Sequence, residues 1–249
     1  GKSAHRKLIP IKNNKVLPRE LPTVARALKK SGYRTAVAGK WHVSNDPTKY
    51  GFDSNFGGLH WGSPKSYFSP YKNPRLRDGP EGEHITDRLT SEAIEYIHSH
   101  KDRPFFLCLW TYAVHSPYQA KPELVEKYGK KEDSRGLQNS AVMGGMIEAV
   151  DTNFGRLLDA LDEEGVADET IVIFNSDNGP SKGVVDGIPV STAYPLRGMK
   201  GHLYEGGTRV PLIVRWPGKV EAGSRCDETV ISTDLYATVL EAAGIEPRK

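Results

Sequence analysis

The sequence has few cysteines, no long apolar run and no large excess of either charge. Its two cysteines, Cys108 and Cys226, cannot build a disulfide framework, and their spacing matches no zinc-binding or redox pair. No stretch approaches the roughly 20 apolar residues of a membrane span, and no signal-peptide core is recognisable. The 34 basic and 31 acidic residues are spread along the chain. We therefore expect neither a membrane span nor a nucleic-acid partner.

The composition predicts a compact globular chain. Of the 249 residues, 37% are hydrophobic and 26% are charged, which suits one domain with a sizeable buried core. Apolar periodicity predicts helices over 21–31, 86–100, 140–164 and 234–243, and strands over 33–38, 105–112, 170–176 and 210–215. Because helices and continuous apolar strands alternate, we expect an α/β fold with a mostly parallel sheet covered on both faces.

Polar side chains follow three of the predicted strands. Lys40 and His42 come after the first strand, His115 after the second, and Asp177 and Asn178 after the third. In sheets of this kind, ligands bind beyond the carboxyl ends of the strands. A lone histidine is more often structural than catalytic, but three strand ends together predict one candidate site.

The residue types at these strand ends suit a cation and an anion. Asp177 and Asn178 offer adjacent oxygen ligands, which favour calcium or magnesium over zinc, although an Asp-Asn-Gly turn is also common without a metal. Lys40, Lys200 and His115 could supply converging donors to a tetrahedral anion. Taken alone, either lysine would be read as an ordinary surface residue.

Several motifs occur in a fixed order along the chain. They are Gly39-Lys40-Trp41-His42, Tyr50-Gly51-Phe52-Asp53, Val114-His115-Ser116-Pro117, Ser176-Asp177-Asn178-Gly179, Arg197-Gly198-Met199-Lys200-Gly201 and Glu205-Gly206-Gly207-Thr208-Arg209-Val210-Pro211. Together they resemble the sulfatases of the alkaline phosphatase superfamily, over most of the chain. The resemblance implies an alkaline phosphatase-like sheet between helices, and it makes 1–249 part of a sulfatase catalytic domain.

The resemblance also implies a role for each candidate residue. Asp177 and Asn178 would bind a divalent cation, calcium in the first instance with magnesium as the alternative, and Lys40 and Lys200 would contact sulfate oxygens. The two histidines would handle protons: His42 would hold the nucleophile's hydroxyl and help to expel sulfate, and His115 would face the leaving oxygen. The substrate would be a sulfated small molecule or glycan, and the setting periplasmic, secreted or lysosomal.

One family feature is absent from these residues. Sulfatases carry a Cys-x-Pro-x-Arg or Ser-x-Pro-x-Arg segment whose first residue becomes formylglycine, the attacking group, and no cysteine or serine here has that context. Gly1-Lys2-Ser3 resembles the Thr-Gly-Lys that follows this segment in the family. We therefore expect an N-terminal strand and a C-terminal subdomain to lie outside the sequence. We also expect the 249-residue polypeptide to be inactive and marginally stable alone.

Two other functions remain open on the sequence. A phosphate or phosphonate ester hydrolase of the same superfamily would bind a similar anion, although its two-zinc members need Asp-His where this chain has Asp177-Asn178. A non-catalytic relative could bind sulfated glycans through Lys40, Lys200 and Arg197.

Two long loops, 50–83 and 181–194, are predicted to shape the leaving-group pocket. Four aromatic residues in or next to the first loop could stack on a sugar or aryl ring, or could be ordinary loop residues. They are Trp61, Tyr67, Tyr71 and His84.

Overall fold

The computed structural model describes residues 16–246. The helices are α1 (Val24–Lys30), α2 (Ile85–His100), α3 (Pro122–Gly129), α4 (Ala141–Glu163), α5 (Glu205–Thr208) and α6 (Asp234–Ala242). The strands are β1 (Arg34–Gly39), β2 (Ser54–Phe56), β3 (Phe105–Trp110), β4 (Val172–Asn175), β5 (Val184–Val185), β6 (Ile188–Pro189) and β7 (Leu212–Arg215). Within this part of the chain, no helix combines the length and the apolarity needed to cross a bilayer. The Gly1-Lys2-Ser3 motif lies outside the described residues.

The central strand of the main sheet is β1. It pairs in parallel with β2 on one side and with β3 on the other, with Gly39 opposite Trp110 at the carboxyl end. Every residue of β1 after Arg34 is buried, because helices or loops cover both faces of this strand. The predicted α/β class with a parallel sheet is confirmed.

Side chains alternate between the two faces of this sheet. Val37 and Cys108 point to the α1 side, where they join an aromatic cluster around Trp41. Ala38 and Leu109 point to the opposite side and pack with residues of α2 and α4. Burial on both faces fixes the strand register, since a shift by one residue would move the side chains of each face to the opposite face.

The second half of the chain forms a separate pair of strands. β4 and β7 pair antiparallel, with Ile173 opposite Val214, so the last predicted strand does not extend the parallel sheet. Within 16–246, β3 and β4 each hydrogen-bond to one neighbour only, and no strand lies between them. Val172 of β4 nevertheless packs against the same buried cluster, Ile97, Leu161 and Ala167, as Phe105 and Leu107 of β3. The two sheets therefore share one apolar layer without a hydrogen-bonded connection.

Several local predictions need correction. The helix predicted over 86–100 begins one residue earlier, and its cap is His84, whose Nδ1 accepts the Thr86 backbone N–H. The helix predicted over 140–164 begins at Ala141, and Ser140 is its cap. The predicted loop 181–194 contains the short β5–β6 hairpin, and α3 was not predicted.

Candidate active site

The first part of the candidate site forms where β1 and β3 end side by side. Gly39 has a positive φ of 104°, and its Cα lies against the Trp110 carbonyl with no room for a side chain. The Lys40 backbone N–H then donates to that same carbonyl at 2.7 Å. Strands β1 and β3 therefore end at the same edge of the sheet. Lys40, which follows β1, lies at the edge where the turn that carries His115 begins.

His42 sits in a strained position just beyond this edge. Its φ is 63°, in the left-handed region that residues other than glycine seldom adopt, and its backbone N–H donates to the Leu59 carbonyl at 2.8 Å. A methyl group at Gly62 would lie 2.8 Å from the imidazole Cε1 and 2.9 Å from Nε2. Residues 59–62 therefore hold both the backbone and the ring of His42.

His115 is held by contacts to its ring and its backbone. Its Nδ1 lies 3.0 Å from the Ser116 carbonyl oxygen and 3.2 Å from the Ser63 hydroxyl. A carbonyl oxygen only accepts hydrogen bonds, so Nδ1 carries a hydrogen and Nε2 is the ring nitrogen left for chemistry. The buried Tyr67 hydroxyl donates to the His115 carbonyl at 2.8 Å.

The second part of the site depends on close contacts between glycine backbones. The Gly179 N–H donates to the Gly207 carbonyl at 3.0 Å, and the Lys200 N–H donates to the Pro180 carbonyl at 2.8 Å. A methyl group on Gly179 would lie 2.9 Å from the Gly206 carbonyl carbon and closer still to its oxygen. The Asp177 turn and the Lys200 segment can lie together because Gly179, Gly206 and Gly207 have no side chains.

Electrostatics connect the two parts of the site. Lys40 Nζ lies 3.5 Å from Asp177 Oδ2, which joins the end of β1 to the turn after β4. The pKa of His42 is lowered, first by partial desolvation of the ring and then by the positive charges of Lys40, His115 and Lys200, while Asp177 acts in the opposite direction. The four other candidate side chains therefore all lie close enough to His42 to influence its charge.

The donor set at the Asp177 turn suits a hard cation but is incomplete. Asp177 is exposed, and its Oδ1 accepts a short hydrogen bond from the Asn178 amide. Carboxylate and amide oxygens are calcium and magnesium ligands, but calcium takes about six to eight oxygens. Among the described residues, no group of three or more His, Cys, Asp or Glu side chains could hold a metal. Two adjacent ligands therefore fit a cation that takes further ligands from elsewhere.

The loop aromatic residues behave differently from the sequence prediction. Tyr67, Tyr71 and His84 are each 0% exposed, so the idea that they stack on a substrate ring is wrong. The loop folds back over α2: Tyr71 donates to the Glu83 carboxylate, and the His84 ring stacks on Tyr67. Of the four, Trp61 alone remains partly exposed, with the Lys65 ammonium 4.5 Å from its ring.

Sequence reasoning missed the residues that support the histidines. Gly62, Ser63 and Tyr67 lie in a stretch without periodicity, and their types are common in any loop. The two long loops both reach the His115 turn, since Ser63 contacts His115 and Ser181 hydrogen-bonds Tyr118 at 2.7 Å. Only the tertiary fold reveals these contacts.

Comparisons with known proteins show the family of the chain. The Sulfatase family model matches residues 2–245. The chain belongs to the sulfatase family. It is 30% identical to the N-acetylgalactosamine-6-sulfatase of Mus musculus, over 93% of this chain and 46% of that protein. It is 31% identical to the uncharacterized sulfatase YdeN of Escherichia coli K12, over 86% of this chain and 42% of that protein.

The chain is also similar to a solved structure in three dimensions. The crystal structure of Ps i-CgsB in complex with k-i-k-neocarrahexaose superposes with a TM-score of 0.77 at 31% identity, covering 96% of this chain and 57% of that one. The chain thus spans about half the length of the curated relatives it matches.

Proposed function

We propose that the protein containing this chain hydrolyses sulfate esters of carbohydrates. The observation that carries the proposal is the gathering of Lys40, His42, His115, Asp177 and Lys200 beyond the strand ends. Membership of the sulfatase family supports sulfate ester hydrolysis. A structural neighbour crystallised with k-i-k-neocarrahexaose supports a glycan substrate. Family relatives also favour an exported setting, whether periplasmic, secreted or lysosomal.

In this proposal the two lysines bind the sulfate group. Lys40 is half-buried and Lys200 is exposed, and both carry a positive charge that offsets the charge on the sulfate oxygens. Asp177 and Asn178 would hold a divalent cation, calcium or magnesium, which when bound supplies further positive charge beside the anion.

The two histidines would act on protons at opposite sides of the sulfur. His115 would act in its imidazolium form, with a hydrogen on both ring nitrogens: it gives the Nε2 proton to the ester oxygen as the sulfur–oxygen bond breaks and keeps the one on Nδ1, so the alcohol leaves neutral. His42 lies beside Lys40 and would accept a proton from the attacking group when sulfate is released. Its lowered pKa favours the neutral, proton-accepting ring. The attacking oxygen would come from a formylglycine, whose precursor motif these 249 residues do not contain.

Kinetics on the full-length protein test this proposal. An aryl sulfate and a sulfated oligosaccharide should be hydrolysed in preference to an aryl phosphate. Lys40→Ala should lower kcat/KM by about 100-fold or more, the usual effect of removing one donor to a developing anion. Lys130→Ala is the matched control, since that ammonium pairs with Glu126 on the surface.

The outcomes separate the proposed function from its rivals. Preference for the aryl phosphate would assign the protein to the phosphate ester hydrolases. Binding of sulfated glycan without turnover by the full-length protein would assign it to the non-catalytic binders. Calcium should raise the melting temperature of the full-length protein, because a ligand that binds only the native state stabilises it. The 249-residue polypeptide is expected to show no turnover.

A further inference from the structure

The segment 59–67 contacts both candidate catalytic histidines. Leu59 accepts the His42 backbone N–H and Gly62 lies against the His42 ring. Ser63 and Tyr67 reach His115, the first at ring Nδ1 and the second at the backbone carbonyl. Nine consecutive residues therefore make two contacts to each histidine. We call residues 59–67 the bridging segment.

The bridging segment is itself fixed at its far end. Tyr67 is fully buried, and its backbone N–H donates to the Gln119 side chain at 2.9 Å. The His84 ring stacks on Tyr67 and its Nε2 lies 3.2 Å from the Gln119 carbonyl, which accepts that hydrogen bond. Since His84 also caps α2, the segment is connected to a rigid helix and not only to the two histidines.

We propose that the bridging segment sets the position of His42 relative to His115, with Gly62 and Ser63 as its positioning residues. The inference rests on the proposed function for the catalytic roles of the two histidines, but the contacts between the bridging segment and the histidines do not involve a substrate. Gly62 acts on His42 by having no side chain, so the ring can lie directly against the backbone. Ser63 acts on His115 by holding the protonated Nδ1 and directing Nε2 outward.

The two contacts predict different kinetic effects. Among residues 16–246, the Ser63 hydroxyl makes the one contact to Nδ1 that comes from outside the His115–Ser116 turn. Ser63→Ala removes it, so proton donation to the leaving oxygen becomes less efficient. Its loss in kcat/KM should therefore grow as the leaving alcohol becomes less acidic. The loss should reach roughly tenfold for a sugar sulfate, which corresponds to one hydrogen bond of ordinary strength.

Gly62→Ala should give a loss that does not depend on the leaving group. Its new methyl group would displace the His42 ring, and His42 acts on the attacking group and not on the alcohol. A displacement of this kind is expected to lower kcat by roughly 10- to 100-fold. The backbone at Gly62 does not have a positive φ, so an alanine there is strained by the His42 contact alone.

Matched controls are available in the same chain. Among the described residues, the Ser99 hydroxyl bonds only to the Glu95 carboxylate on the exposed surface of α2, so Ser99→Ala should leave activity unchanged. Gly155 has open space around its Cα, so Gly155→Ala tests the bare effect of replacing a glycine. Ser63→Thr retains the hydroxyl and should restore the wild-type dependence on the leaving group.

The test measures a series of aryl and sugar sulfates and the ¹⁵N signals of the histidine rings, on the full-length protein. For Ser63→Ala, the inference predicts shifted ring signals of His115 and a loss of activity that grows as the leaving alcohol becomes less acidic. For Gly62→Ala, it predicts shifted ring signals of His42 and the same loss for every leaving alcohol. Unchanged ring signals in both variants, or equal losses for every ester in Ser63→Ala, would overturn it. Absence of sulfate ester turnover in the wild type would refute the proposed function, and the ring signals would still decide the inference.

Discussion

Replacing Gly179 by alanine should separate the two elements that carry Asp177 and Lys200. The added methyl group would lie 2.9 Å from the Gly206 carbonyl carbon and 3.1 Å from the Gly207 Cα. Gly206 cannot move away freely, because its own Cα already faces the Arg197 carbonyl oxygen, which a methyl group there would approach to 2.7 Å. The turn after β4 must therefore shift away from the Lys200 segment.

The size of the effect follows from this overlap. Overpacking at a close backbone contact costs about 1–3 kcal/mol. For a domain of this size each kcal/mol lowers the melting temperature by about 2–4 °C. A shift of ~1 Å in the Asp177 turn is expected to lower kcat/KM by about 100-fold. The backbone at Gly179 does not have a positive φ, so the methyl contact is the only new strain.

Thermal melting and kinetics of the full-length protein check this prediction. Gly155→Ala serves as the control, since that glycine lies in α4 with open space around it. Its melting temperature should stay the same or rise slightly, because alanine favours helix over glycine. If Gly179→Ala melted and turned over as the wild type does, the glycine contacts would not be what aligns the turn with Lys200.

Three further predictions concern the scaffold. Burial lowers the pKa of His84 in the folded protein. As the pH drops below about 6.5, the unfolded chain therefore binds a proton before the folded protein does, and the free energy of unfolding falls. His84→Gln should show a smaller fall in melting temperature on acidification. Burial acts to raise the pKa of Asp87, but hydrogen bonds from Asn153 and Lys121 outweigh it and lower that pKa. Asn153→Ala should therefore cost about 1–3 kcal/mol in urea unfolding near neutral pH, and a cost near zero would contradict this. Burial raises the pKa of the Cys108 thiol, so peptide mapping should find it alkylated by iodoacetamide in denaturant and unmodified in the native protein.

The strand-end residues could be predicted from sequence because their position depends on local pattern. The apolar runs that became β1, β3 and β4 place Lys40, His115 and Asp177 after strand ends, and parallel pairing of β1 with β3 brings the first two to one edge. Lys200 follows none of these strands, so its charge and its motif are the grounds in the sequence for linking it to the site. Its position depends on contacts among glycines that are 20 or more residues apart, which periodicity does not reveal.

The loop before α2 shows where composition misleads. Residues 50–83 are rich in Gly, Pro, Ser and Tyr, which predicts an irregular loop whose aromatic rings could face a substrate. In the structure Tyr67 and Tyr71 are fully buried. The Tyr67 hydroxyl donates a hydrogen bond to the His115 carbonyl, and the Tyr71 hydroxyl donates one to the Glu83 carboxylate. A tyrosine can be buried at low cost when its hydroxyl is hydrogen-bonded. Such partners are set by the tertiary fold, so neither the burial nor the support of His115 was predictable.

The two halves of the site are held by different parts of the chain. The bridging segment holds His42 and His115, and glycine contacts hold Asp177 beside Lys200. In the described part of the chain, two side-chain contacts join them: a single hydrogen bond between Tyr118 and Ser181 at 2.7 Å, and the Lys40–Asp177 pair at 3.5 Å, whose Asp177 side is 69% exposed. An exposed pair of this kind contributes little to stability. A substitution that disturbs the structure of one half should therefore have little effect on the other half. The stability losses of Gly62→Ala and Gly179→Ala should add to within about 0.5 kcal/mol in the double variant. A larger deviation would mean that the two halves form one cooperative unit.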